Sequence, residues 1–575
     1  MDEILSGAEI SSIRQLLQGP LFFQDPDAPA AIARLAELPL HCKNVSRIDL
    51  DGLSNLPSNT VETADRWRHA RGWLDDFSRY AAVPRSGAAE TPHARLSNAD
   101  IRRLVDAGVV EETSPDNVRG HVHVFAVPEF FKNRRRPIKN PAAINETLGK
   151  DTLMTLDMAT KCSIIELVLK GNFAISFDFA SYFDQFSLNK DIANLQCFRK
   201  GKKIYRLCSG AMGQRQMVEV AHTATKKLAD VPGRESVSEV IIDNVIYVGE
   251  RDQLLRDGAA FVERVRSVRG TLNEDTTDLD RLIVQRGEWG GVAFDLERKT
   301  TWLTDKIINK IKLSWARRAE WSYRNLLAHY GLLFWALGIL DVSPGDHYAA
   351  LRFYSHLCMS FAAAKENHQE PGYDEPAVVW PTALQALGEW TAAVLANKPR
   401  QLAVKHDVVW RMCTDACRFG WGYVAMNEAS GEIRTHGAQW GSDIVQRNRA
   451  VLHRSTFTEP EAVVASCCHL LARNGTRQRI VVGTDNIPTK CNGNKGFSAR
   501  SFAQNECRAR LRRLFPPGEF DFDFRYVPGD ENIYADELSR KGKIASEDKG
   551  QIALGIARLL GDDRSGTVGT RVAPV

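Results

Sequence analysis

The spacing of apolar and polar positions divides the chain into stretches of different character. Residues 1 to about 95 mix helical spacing with Pro/Gly/Ala-rich breaks such as "QDPDAPAAIARLAELPL" and "AAVPRSGAAETPH". From about 97 to 300, strand-like runs ("GHVHVFAV", "NFAISFDF", "SEVIIDNVIYV") alternate with helical ones. From about 302 to 400 the spacing is mainly helical and opens on the basic segment "ERKTTWLTDKIINKIKLSWARRAEW". From about 405 to 540 the alternation of strand and helix returns, and the last thirty residues read as one short helix and a flexible tail. The pattern predicts a multidomain α+β protein without internal repeats.

Composition changes this picture little. A chain of 575 residues is too long for one core, and three or four domains are expected. Hydrophobic content of 43% and charged content of 25% are ordinary for a soluble globular protein, and a formal net charge of +4 does not by itself identify a nucleic-acid partner. Eleven scattered cysteines, with no C-x-x-C pair and no Cys/His set at zinc spacing, read as reduced thiols. The N-terminus "MDEILSGAEI" lacks an apolar signal core, and the longest apolar run, "GLLFWALGIL", is too short to span a bilayer. The expected setting is cytoplasmic or nuclear, with no membrane partner.

The candidate chemistry begins in "EVIIDNVIYVGE" (239–250), two strand-like runs flanking Asp243-Asn244. This spacing predicts a β-hairpin with Asp243-Asn244 as its two-residue turn. Asp243 is expected to point into a site from the tip, and Asn244 to point away or lie at the edge. Upstream, "GNFAISFDFASYFDQFSL" places Asp178 in an otherwise apolar strand, where a carboxylate is costly unless paired or metal-bound. Before it, "FKNRRRPIKNPAAIN" groups Lys132, Arg134, Arg135, Arg136 and Lys139 around a strand-like run. Between the two aspartates, "KKIYRLCSGAMGQRQMVEVAHTAT" reads as strand, Gly turn and helix, and such a turn lets backbone approach a nucleotide closely. Guanidinium groups that neutralise a triphosphate, and two carboxylates that hold a pair of Mg²⁺ ions, are what nucleotidyl transfer requires.

In this order the segments resemble the fingers and palm of a reverse transcriptase. "IRRLVDAGVVEETSP" resembles the entry to the fingers and "HVFAVPEFFKNRRRPIKNPAAIN" the fingers hairpin. The resemblance implies that Arg136, with Lys132, binds the triphosphate. "SFDFASYFDQF" resembles the first palm motif, with Asp178 as a metal ligand and Phe183 as the ring that excludes a ribose 2′-hydroxyl. "YRLCSGAMGQ" resembles the second, placing Gly213 and Gln214 at the nucleotide, although the usual Ala-Pro downstream reads Met217-Val218. "IIDNV" stands at the hairpin motif, with Asn244 where the family commonly has a second aspartate, and "GTLNED" and "GGVAFDLERKTTWLT" resemble the segments that follow.

A second set of acids lies near the C-terminus. Asp415 ends a predicted strand in "VVWRMCTDACRFGWGYVAM", and "STFTEPEAVVAS" opens a helix. There Thr458 and Glu461 fit a capping box, which leaves Glu459 free for chemistry. Asp485 ends a strand in "RIVVGTDN", and Asp536 sits on the helix of "FRYVPGDENIYADELSR". Four acids in this order resemble ribonuclease H, which implies that Asp415, Glu459, Asp485 and Asp536 hold two Mg²⁺ ions against an RNA phosphate. The histidine that many members carry before the last acid is absent here.

Together the resemblances imply a right-hand polymerase followed by a ribonuclease H-like α/β domain. Its parts would be an N-terminal extension of unknown role (1–95), fingers and palm (96–301), a helical thumb and connection (302–404), a ribonuclease H-like domain (405–543) and a flexible tail (544–575). The implied activity is RNA-directed DNA synthesis with degradation of the RNA strand. It would use Mg²⁺ or Mn²⁺ at both sites, dNTPs, an RNA template, a DNA primer and the RNA–DNA hybrid. No Asp-Ser/Thr-Gly protease signature and no integrase-like cluster is present, so other retroelement proteins are expected to supply other steps. That absence and the Asp-Asn hairpin loosely resemble elements of the DIRS or trypanosomatid VIPER type. The alternatives are a domesticated, non-catalytic RNA-binding scaffold with both folds, and a chain with only its ribonuclease active.

Overall fold

A computed structural model describes residues 38–129, 133–148, 153–370, 372–402, 406–442, 444–445, 452–472, 475–498, 501–544 and 548–560. The chain divides into two compact units, with the boundary in sequence between Gly290 and Gly291. Both mix helix and sheet.

The first unit is built on three small antiparallel sheets. Strand β1 (Val110–Thr113) belongs with β5 (Cys197–Lys200) and β6 (Lys203–Leu207) in the order β1-β6-β5. Strands β2 (His123–Glu129) and β3 (Arg134–Asn140) form a hairpin that runs from His123↔Asn140 to Glu129↔Arg134. Strands β4 (Phe173–Asp178), β7 (Val237–Ile241) and β8 (Asn244–Gly249) form a sheet of order β4-β8-β7. In β4, alternation buries Ile175 and Phe177 while Ser176 stays exposed and Asp178 half-buried. Phe177 packs 5.0 Å from Phe261 of the helix Arg251–Ser267. Directly opposite Asp178 in the ladder stands Asn244.

Residues that the sequence left without a role complete this core. Helix α1 (Val61–Asp75) buries Trp67, Trp73 and Leu74, and Tyr80 follows it fully buried. They pack with Met217, Val220 and Ala224 of α2 (Arg215–Ala229) in one apolar cluster. Trp73 Nε1 donates to Glu219 of α2 at 3.2 Å, and Tyr80 Oη donates to the Trp73 carbonyl at 2.7 Å. Burying aromatic side chains of this size contributes on the order of 2–3 kcal/mol each.

The second unit holds a helical part and a five-stranded sheet. Helices α3 (Asp305–Ala316), α4 (Tyr323–Trp335), α5 (Tyr348–Glu366) and α6 (Pro381–Leu395) pack around Tyr330 and Trp390, both fully buried. Lys306, Lys310 and Lys312 on α3, and Arg317 and Arg318 just beyond it, are exposed. The sheet runs β11-β10-β9-β12-β13, with β9 (Val408–Ala416), β10 (Gly420–Asn427), β11 (Ile433–Gln439), β12 (Gln478–Thr484) and β13 (Phe520–Tyr526). β9 and β12 pair in parallel, as do β12 and β13, while β9–β10 and β10–β11 are antiparallel. Helices α7 (Ser455–Leu470), α8 (Ile487–Lys495) and α9 (Phe502–Leu514) accompany the sheet. So do α10 (Ile533–Lys541) and α11 (Lys549–Leu560), the last burying Ile552, Ile556 and Leu560 with Cys413 and Val481.

Two local expectations are corrected. The hairpin turn is Ile242-Asp243, one residue earlier than predicted, because Asn244 is already paired with Ile241 in the ladder. The Thr458–Glu461 capping box does not form, because α7 begins at Ser455 and Thr458 lies within it. Glu461 instead pairs with Arg510 of α9 at 2.9 Å. Pro460 sits inside α7, where it cannot donate to the carbonyl of Thr456. Gln504 Nε2 donates to that carbonyl instead, at 3.3 Å.

Candidate functional site

The first site is a cleft of about 390 Å³ lined by Asp178, Asp243, Phe183, Arg136 and Asn273 among others. Asp243 reaches it from a strained hairpin tip. Ile242 has φ +54°, a left-handed conformation that a β-branched residue rarely adopts. Positive φ at the first of two turn residues suits the right-handed twist of the flanking strands. His222 of α2 steadies this tip. Its Nδ1 accepts from the Ile242 N–H at 3.3 Å while its Nε2 donates to the Asp157 carbonyl at 3.1 Å. Burial lowers the His222 pKa to about 4, so the ring stays neutral and Nδ1 remains an acceptor.

Asp178 is held on several sides. Asn273 Nδ2 donates to its Oδ2 at 2.8 Å and Asn244 Nδ2 to its Oδ1 at 3.4 Å. Its backbone N–H donates to both oxygens of Glu274 at 3.1 Å. Asn244 Oδ1 in turn accepts from Trp289 Nε1 at 2.7 Å. Of the two positions expected for Asn244, pointing away or lying at the edge, the structure fits the second: it touches Asp178 without lining the cleft. Residues paired across a ladder project to the same face of the sheet, so Asn244 shares the face of Asp178. Burial, and then the charge of Asp178, raises the Asp243 pKa above the ordinary carboxylate range. A divalent cation would offset both effects, so this pair of acids fits a metal.

The other candidates in this unit fall into two groups. Arg136 and Phe183 line the cleft with the aspartates, Arg136 also pairing with Glu129 at 2.7 Å. Gly213 and Gln214 do not line it. Gly213 takes φ +93° just before α2, and Gln214 is fully buried with neither amide atom partnered among the described residues. Met212 lines the cleft near them. Lys139 is buried against Asp184, which it bonds directly, and Lys132 lies outside the described residues.

The second site lies at the ends of two parallel strands. Cys413 of β9 pairs with Gly483 of β12, so Asp415 and Asp485, each two residues further on, emerge side by side. Glu459 of α7 completes a group whose ligand oxygens all lie within 4.8 Å of one another. Glu459 is 2% exposed, and its carboxylate accepts from the Ala416 N–H at 3.2 Å. Burial, and then the charges of Asp415 and Asp485, raise the Glu459 pKa to about 9. Asp415 is raised to about 6, mainly by burial, although Ser539 Oγ donates to it at 2.5 Å. Burial raises Asp485 as well. Three acids driven toward neutrality by burial and mutual repulsion fit a divalent cation, which would hold all three ionised. Asp536 stands apart from the three. It pairs with Arg540 at 2.7 Å, and its charge still raises the pKa of Asp415 and Asp485.

Sequence reasoning missed Asn273, Glu274, His222 and Ser539. The "NED" of "GTLNED" carries two of these and was a readable signal, whereas His222 and Ser539 sit in ordinary helical spacing.

No family model matches the chain, and no curated protein matches it. Solved structures do. A foamy viral protease-reverse transcriptase in complex with double-stranded DNA is 13% identical, with a TM-score of 0.43 over 87% of this chain and 85% of that one. A second such complex is 12% identical, with a TM-score of 0.41 over 85% and 99%. A complex of the foamy viral enzyme with RNA/DNA hybrid is 12% identical, with a TM-score of 0.39 over 87% and 64%. Among the described residues no helix is long and apolar enough to cross a membrane.

Proposed function

We propose that the chain is an RNA-directed DNA polymerase joined to a ribonuclease H. The observation that carries this is the presence of two separate carboxylate sites in one chain. One is a cleft with Asp178, Asp243, a guanidinium and an aromatic ring, and the other is a buried Asp-Glu-Asp group at parallel strand ends. In this reading Asp178 and Asp243 would hold metal in the first site, and Asp415, Glu459 and Asp485, with Asp536 at the rim, in the second. When bound, Mg²⁺ would supply an activated hydroxyl or water and charge neutralisation at the phosphate.

The chain's own residues do the rest. Arg136 neutralises the incoming triphosphate. Phe183, whose ring lines the same cleft, would exclude a ribose 2′-hydroxyl. Asn273 and Asn244 orient the Asp178 carboxylate, and His222 holds the tip that carries Asp243. In the second site Ser539 orients Asp415, and the Ala416 N–H fixes Glu459. The substrates would be dNTPs, primed RNA and RNA–DNA hybrid.

The test is primer extension on a defined RNA template with Mg²⁺ or Mn²⁺, resolved to show both synthesis and template cleavage. Asp178→Ala or Asp243→Ala should abolish synthesis and spare cleavage, while Asp415→Asn or Glu459→Gln should do the reverse. Loss of both activities from any single change, in a protein still folded by circular dichroism, would defeat the two-site reading. The Asn244 amide against Asp178 favours a second reading, in which only the ribonuclease works. Wild-type cleavage without synthesis would establish it.

A further inference from the structure

Apart from the carboxylate sites, the second unit contains a cavity of about 630 Å³ between residues 337–344, the 399–402 segment, the ends of α8 and α9, and β13. Its size is that of a small-molecule site. Four basic side chains line it, Arg400, Lys495, Arg508 and Arg512, against the acids Asp341 and Asp521. Arg512 is matched by Asp341 at 3.1 Å, and Asp521 lies 3.8 Å from His406. Arg400 donates to the Gly338 carbonyl, and Lys495 lies over the Phe497 ring at 4.3 Å.

Arg508 is the anomaly. Its Nε and Nη1 are shielded from solvent, yet neither has a hydrogen-bond partner among the described residues. The Phe524 ring lies 5.8 Å away, and the charges of Asp341, Asp346 and Asp521 partly offset the repulsion from Arg512. Desolvation, and then repulsion from Arg512, lowers its pKa to about 10. Two shielded N–H groups without an acceptor are costly, and an anionic oxygen in the cavity would complete them.

We propose that this cavity is a binding site for a phosphate-bearing ligand, with Arg508 as its central cation and Arg400 and Lys495 as further contacts. Guanidinium forks match phosphate oxygens, and Arg400, Lys495, Arg508 and Arg512 outnumber the acids Asp341, Asp346 and Asp521 around them, which favours an anionic ligand. The phosphate can come from a free polyphosphate or nucleotide, or from the backbone of a nucleic acid. The site stands independently of the proposed activities.

The test is calorimetric titration of the full chain in EDTA with tripolyphosphate, and separately with a single-stranded oligonucleotide lacking terminal phosphate. An Arg136→Met background removes the main cation of the first cleft. Tripolyphosphate should bind with one-to-one stoichiometry. Arg508→Met should weaken binding at least tenfold, and Lys495→Met, at an exposed position, by a smaller factor. Should Arg508→Met fold poorly, Lys495→Met and Arg400→Met carry the decision. An oligonucleotide that competes in an Arg508-dependent way identifies backbone phosphate as the source, and failure to compete identifies free polyphosphate. No binding of either probe, or binding unchanged by all three substitutions, would overturn the site.

Discussion

Asn244→Asp puts the strongest test on the reading of the hairpin. The substitution keeps an oxygen for Trp289 Nε1, removes the N–H that faces Asp178, and puts a second negative charge there. The Asn244 nitrogen lies 3.4 Å from Asp178 Oδ1. At that separation two unit charges repel by about 5 kcal/mol at an effective dielectric of about 20 and by about 1 kcal/mol in bulk water. Both side chains are half-buried, so a cost of roughly 2–3 kcal/mol is expected from that range. For a unit of this size that corresponds to a melting temperature lower by roughly 5–10 °C. Asn244→Ala forfeits two hydrogen bonds but adds no charge, and should cost about 1–3 kcal/mol.

Metal reverses the sign for the carboxylate alone. The extra charge that destabilises the metal-free chain strengthens its attraction for a dication, so Mg²⁺ should raise the melting temperature of Asn244→Asp more than that of wild type. Each tenfold gain in affinity is worth about 1.4 kcal/mol. Asn244→Ala should show no such gain. The assay is thermal unfolding in EDTA and across a Mg²⁺ titration, paired with the Mg²⁺ dependence of primer extension. If Asn244→Asp melts with wild type in EDTA and responds identically to Mg²⁺, the Asn244 bridge from Trp289 to Asp178 has no energetic content.

The remaining predictions concern other parts of the two sites. Glu459 and Asp415 have folded pKa values raised to about 9 and about 6, so in EDTA their stabilising contribution is complete below pH 4 and is lost as pH rises toward 9. Melting temperature in EDTA should fall across that window, Mg²⁺ should restore it increasingly at high pH, and Glu459→Gln should flatten the slope. Phe183→Val should raise ribonucleotide insertion relative to deoxyribonucleotide, and unchanged sugar discrimination in single-nucleotide insertion would remove Phe183 from the sugar site. His222→Ala should slow synthesis while sparing hybrid cleavage, since it frees the Ile242 N–H without touching the second unit. Equal loss of both activities would mean that His222 serves folding alone.

The sequence made the acids legible because each stands where apolar alternation breaks. Asp178 ends a buried run in β4, and Asp415 and Asp485 end two buried runs whose parallel pairing only the fold reveals. Glu459 was reached by a wrong step. The capping box assigned to Thr458 and Glu461 does not exist, and Glu461 is occupied by Arg510 instead, a contact between α7 and α9 about fifty residues apart that no local spacing encodes. Residues 48–83 were illegible for a similar reason. Their Trp and Tyr side chains look like scattered aromatics until α2 supplies the surface that buries them.

The hairpin shows where local reasoning reaches its limit. Turn preferences favoured Asp243-Asn244 as the two central residues, since neither is β-branched and Asn tolerates positive φ. The chain places Ile242 in that conformation instead. A shift of one residue matters because side chains alternate along a strand. With the predicted turn, Asn244 would have been free at the tip. With the observed one it enters the ladder opposite Asp178, on the same face, and its amide orders both Asp178 and Trp289. His222 holds the strained residue from below through a neutral ring, so the geometry of the acidic tip depends on a helix that carries none of the acids. The residue that stands where a second aspartate is common is thus part of what orients the carboxylate, and the cost of the left-handed isoleucine is met by contacts that sequence spacing alone did not disclose.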